Sequence, residues 1–146
     1  MTKKKRNRAR PNERQSRRFE VGSCGLWTSV SPAQRPGQQL AVEGHAKVGV
    51  RGTLDEPIRD VRDVAIAVYP ADVALTGPPE GPACIGYINS FRPHVDAAVF
   101  IAHRDFERVW ALAVGGELKH GFISFTKPRY TSAAILSLSF SNESIE

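Results

Sequence analysis

Beyond residue 18 the chain alternates apolar and polar positions over most of its length, and a period of two predicts strands. The clearest run is 40–51, where Leu40, Val42, Ala46, Val48 and Val50 share one parity and Glu43, His45, Lys47 and Arg51 the other. Such a strand has one core face and one wet face. Residues 61–69 repeat the pattern through Val64, Ile66 and Val68. A helical stripe of Ile58, Val61, Ala65 and Val68 behind Pro57 competes there, but the density of β-branched residues favours a strand. Residues 19–30 read as a first strand carrying Val21, Leu26, Trp27 and Val30, with Gly22 or Gly25 as the place for a bend.

Further along, 83–91 places Ile85, Tyr87, Asn89 and Phe91 on one parity, and Arg92-Pro93 separates it from a strand at 95–102. Residues 118–125 and 134–140 read as a hairpin, the second strand setting Ala134, Leu136, Leu138 and Phe140 against Ser137, Ser139 and Ser141. One helix is predicted, at 105–114. Phe106, Val109, Trp110 and Ala113 make its apolar stripe, Asp105 is the candidate N-cap, and Gly115-Gly116 is the stop. Residues 31–39, 52–57 and the Pro/Gly-rich 71–82 are expected to be loops or turns. About seven short strands and one helix predict a mainly β domain, an antiparallel β-sandwich (Ig-like or jelly-roll-like), because alternating strands bury their single apolar faces against each other. An open barrel is the alternative.

Charge divides the chain differently from hydropathy. Residues 1–18 hold nine cations, Lys3, Lys4, Lys5, Arg6, Arg8, Arg10, Arg14, Arg17 and Arg18, against Glu13 alone, a net +8. The remaining residues hold eleven basic and fourteen acidic side chains, a net −3. No aliphatic or aromatic residue larger than Ala9 lies between Thr2 and Arg18, so nothing there offsets the entropy of ordering the backbone. The expectation is a disordered basic arm over 1–18 and a β-rich domain over 19–146. The arm's nine cations are candidate nucleic-acid-binding residues, because Lys and Arg that neutralise phosphates release condensed counterions. They supply affinity for nucleic acid or another polyanion without reading sequence, and they equally suit a solvated tail.

The other chemical signals are weak. After the basic run, Phe19-Glu20-Val21-Gly22-Ser23 is too polar for a secretory signal, and the apolar runs at 97–102 and 109–114 are too short to span a bilayer. A soluble, cytoplasmic protein with no membrane partner is expected, or a nuclear one if Lys3-Lys4-Lys5-Arg6 acts as an import signal. Cys24 and Cys84 are expected to be reduced and buried as small hydrophobes. His45, His94, His103 and His120 lack the spacing of a local metal pair, no phosphate loop or dinucleotide motif occurs, and no cofactor or metal is expected.

Two functional readings follow. The first is a non-enzymatic β module that binds polyanions through its arm and a protein or a second copy through its domain. The alternative is a small-ligand or hydrolase-like site around His94, Asp96, His103 and His120, where a carboxylate would orient an imidazole. It requires those four residues to share one pocket. A last cluster, Lys127, Arg129 and Tyr130, is the one place in the domain where basic and aromatic groups adjoin; it reads either as a grip for an acidic ligand or as a hairpin loop whose Tyr folds back on the sheet.

Overall fold

A computed structural model describes residues 13–32, 42–71 and 83–143. It contains seven strands, β1 (Arg14–Pro32), β2 (Val42–Ile58), β3 (Val61–Pro70), β4 (Gly86–Ser90), β5 (Val95–Ile101), β6 (His120–Thr126) and β7 (Ala133–Ser141), and a helix, α1 (His103–Val114), between β5 and β6. The strands close in the order β1-β2-β3-β5-β4-β7-β6 into one barrel. The expected sandwich is therefore wrong. Alternation fixes only that each strand has one buried face, a condition that two packed sheets and one closed sheet satisfy equally.

Closure depends on β1. Arg14 to Glu20 pair antiparallel with β6, while Phe19 to Pro32 pair antiparallel with β2, so one long strand joins both sides of the sheet. The register shifts between Val21 and Ser23, around Gly22, where a bulge bends the strand from one partner towards the other. β3 and β5 form the single parallel contact, and all other neighbours are antiparallel. The strand thus begins within the expected arm, and Arg14, Arg17 and Arg18 belong to the barrel wall. Counted from Arg14 to the end of the sequence, fourteen basic and fourteen acidic residues give a net charge of zero rather than −3.

The interior is filled by Phe19, Val48, Val50, Leu54, Ile66, Val68, Ile88, Val99, Ile123, Phe125 and Ile135, all buried. Each large aliphatic or aromatic side chain so removed from water stabilises the fold by about 1.5–3 kcal/mol before entropy is charged against it. Gly121 sits opposite Phe19 in the β1–β6 ladder, and the Phe19 ring lies where a β-carbon on Gly121 would be. The absence of a side chain at Gly121 lets the ring lie against β6.

Several local expectations shift for identifiable reasons. The expected turn at 52–57 is strand, and the chain reverses instead at Arg59-Asp60, where both residues have positive φ (47° and 67°) between the paired Ile58 and Val61. This is the backbone of a tight primed hairpin turn, which usually carries Asn-Gly or Asp-Gly. In β4 the parity is inverted: Gly86 and Ile88 face the core, whereas Tyr87 and Asn89 face out. β7 carries a bulge at Leu136, between the pairs Ser124↔Ser137 and Phe125↔Ile135. Ala133 and Ile135 are therefore buried on one side of it, and Leu138 and Phe140 pack on the core on the other. Counting parity straight through the strand misses this.

α1 joins the ends of β5 and β6 and sends Phe106 into the core, with Val109, Trp110 and Ala113 packed beside it. It starts two residues earlier than expected. Its N-cap is Ala102, which offers no side-chain hydrogen bond, so Asp105 is a first-turn residue rather than the cap. The helix stops at Gly115, whose amide donates to the Ala111 carbonyl, and at Gly116, which has φ of 69° and whose amide donates to the Ala113 carbonyl. Among the described residues no helix is long and apolar enough to cross a membrane. Cys84 is buried as expected, but Cys24 is exposed, and the two are not joined.

Candidate nucleic-acid interface

The topology gathers one set of chain segments at the barrel end opposite α1: the start of β1, the β2–β3 turn, the segment from β4 to β5, and the β6–β7 loop. The arm joins the fold at this end. The backbone N–H of Lys127 donates to the carbonyl of Glu13 at 2.8 Å, which ties the residue before β1 to the β6–β7 loop. The Lys127, Arg129 and Tyr130 cluster is therefore next to the root of the arm. Nothing in the sequence spacing, over a hundred positions apart, indicates that adjacency.

The loop presents its groups outward. Arg129 and Ser132 pair across it through two backbone hydrogen bonds, and Tyr130 lies at the tip with φ of 55° and 92 % exposure. Its ring is not folded back on the sheet. The Tyr130 carbonyl accepts a hydrogen bond from the guanidinium of Arg59, whose head also stands 4.7 Å over the Phe91 ring. A cation over an aromatic face is held by the ring quadrupole while keeping its charge. The β2–β3 turn and the β6–β7 loop are thereby fixed to each other.

The strand-borne arginines of the expected arm divide in their roles. Arg14 donates to the hydroxyl of the buried Ser124 at 2.9 Å and more weakly to Ser137, across a short contact between those two hydroxyls of β6 and β7. Arg17 points inward, donating to the carbonyls of Ser16 (2.8 Å) and Pro57 (3.4 Å) with its head 5.9 Å over Phe125. Its Nε is buried without a partner among the described residues. Arg18 is exposed, and its backbone N–H donates to Asp55. Among the described residues, Arg14, Arg17 and Arg59 thus bind hydroxyls, carbonyls and rings rather than carboxylates. Lys3, Lys4, Lys5, Arg6, Arg8 and Arg10 lie outside the described residues.

The four residues of the alternative site do not meet. His120 lines a hollow with Arg18 and Asp55, His94 one with Arg51 and Asp63, Asp96 one with Cys24 and Lys47, and His103 one with Trp27 and Tyr69. Each of the four lines a different hollow, so the expected site of His94, Asp96, His103 and His120 is not assembled in one pocket. Among the described residues no three His, Cys, Asp or Glu side chains are grouped to hold a metal. Tyr87 hydrogen-bonds to Cys84, and this contact, with burial second, raises its phenol above the ordinary range. Cys24 is exposed, yet partial desolvation by its neighbours raises its thiol above the ordinary range.

A different grouping emerges on the outer wall. The ladders place Trp27, Lys47, Tyr69 and Phe100 side by side on β1, β2, β3 and β5, with Lys47 Nζ 5.7 Å from the Trp27 ring centre and Tyr69 stacked on Phe100 at 5.3 Å. Period-two patterning cannot align these residues, because alignment depends on register. No family model, curated protein or solved structure matches the chain.

Proposed function

We propose that this protein binds nucleic acid through the barrel end where the arm is rooted, with Lys3, Lys4, Lys5, Arg6, Arg8 and Arg10 and the loop residues Lys127 and Arg129 contacting phosphates, and Tyr130 stacking on an unpaired base. The observation that carries this reading is the Glu13–Lys127 hydrogen bond, which joins two basic segments far apart in sequence beside a fully presented aromatic ring. Cations alone give affinity for any polyanion, whereas an exposed ring adds preference for single strands, whose bases have free faces. Arg14 and Arg17, engaged with the barrel wall, hold the root of the arm in place and add field rather than direct contacts.

The test compares binding of a labelled single strand and of a duplex by the wild type and three variants. Glutamine at the six arm cations is expected to weaken both complexes, and Lys127→Gln with Arg129→Gln to weaken both to a smaller degree. Tyr130→Ala is expected to cost the single-strand complex about 1–3 kcal/mol while leaving the duplex complex nearly unchanged. Equal binding by the wild type and the six-cation variant would remove the arm from the account. Equal losses on both nucleic acids for Tyr130→Ala would remove the stacking role.

A further inference from the structure

β1 has two edges with different fates. One pairs with β2 as far as Pro32, while the other pairs with β6 only to Glu20, after which the Val21 N–H reaches the Lys119 carbonyl. From residue 22 onward no described residue takes up that second edge. An unpaired edge is a template for another strand, and proteins ordinarily blunt it with Lys, inward charges, Pro or short length. Residues 21–32 contain no charged side chain, and Pro32 closes only the far end. The same segment carries Leu26, Trp27 and Val30 at 41, 47 and 70 % exposure, half of the exposed large hydrophobic residues among those described.

We infer that the free edge of β1, residues 22–31, pairs antiparallel with the same edge of a second copy of this chain. A neutral strand meeting itself sets no like charges opposite each other, and a charged partner of either sign finds no complementary group along this edge. The antiparallel pairing is isologous: each copy gives and receives one edge about a two-fold axis, so the assembly closes at two. Pairing satisfies the free backbone N–H and C=O groups and withdraws Leu26, Trp27 and Val30 from water. It also continues the outer rows of Trp27, Lys47, Tyr69 and Phe100 from one barrel into the next. The inference stands on the edge alone and does not depend on nucleic-acid binding, since the edge lies in the half of β1 away from the arm.

Sedimentation equilibrium of the full chain across the micromolar range tests it, beside Thr28→Lys, which places a charge at an exposed position within the edge. The wild type is expected at twice the chain mass, and the lysine, brought near its own two-fold copy, to weaken association roughly tenfold or more. Hydrogen exchange on the wild type provides a reading that does not require the variant to fold: free-edge amides between 22 and 31 are expected to be protected in the dimer and to lose protection on dilution. A monomeric wild type, assemblies larger than two, an equally tight Thr28→Lys dimer, or edge amides that exchange freely in the dimer would each overturn the inference.

Discussion

Gly121 and Arg17 show how closely the barrel interior is filled around β1. A methyl group at Gly121 would overlap the Phe19 ring, so the ring or the β1–β6 ladder must move to admit one. Gly121→Ala is accordingly expected to lower stability by about 1–3 kcal/mol, as overpacking a filled core does. Urea unfolding checks it, and an unchanged midpoint would show that Phe19 has space to retreat. Arg17 lies in the same wall with its Nε buried and its head on two carbonyls and the Phe125 ring. The sequence presents it as one cation in a run of nine. That Phe19 and Arg17 share a parity facing inward is visible in the alternation only once the strand is known to begin at Arg14, and a run of arginines hides that beginning.

Element boundaries depend on capping and turn chemistry, and here the chain departs from common residue choices. α1 begins behind Ala102, whose backbone (φ −56°, ψ 146°) already has the extended form that an N-cap adopts, but whose methyl group cannot accept from the first-turn amides. Ala102→Ser supplies the missing acceptor and is expected to raise stability by about 1 kcal/mol, seen as a higher thermal midpoint; no gain would mean that those amides are already satisfied. The alternation of Val48 and Val50, of Val64, Ile66 and Val68, and the Phe106 stripe with its Gly115-Gly116 stop made β2, β3 and α1 legible without coordinates. The β2–β3 reversal was not, because Gly52 and Pro57 resemble a turn while Arg59-Asp60 do not. The bulge in β7 reverses its parity midway, which no fixed period can represent.

At the scale of the whole molecule, charge and closure are the two organising facts. The choice between sandwich and barrel turned on β1 pairing at both edges, a long-range property that local alternation does not encode. The same strand determines where the charge goes. Its first residues lie beside Lys127, and its last residues present an edge without charged side chains that no described residue pairs. The candidate interface was half legible. Composition marked the arm and adjacency marked Lys127, Arg129 and Tyr130, but their meeting needed the fold, as did the separation of His94, Asp96, His103 and His120 into different hollows. From Arg14 onward the sequence is neutral in sum, so the proposed binding to a polyanion rests on the six cations before Glu13 together with Lys127 and Arg129.

The salt dependence of duplex DNA binding by the full chain measures that dominance directly. With the six arm cations on phosphates, the logarithm of the association constant is expected to fall against the logarithm of salt concentration with a slope of roughly −5, steepening towards −7 if Lys127 and Arg129 also engage. Glutamine at the six arm positions should flatten that slope to about −2 or less. A slope near zero for the wild type, or one that the glutamine substitutions leave unchanged, would contradict an interface built on the arm and its anchoring loop.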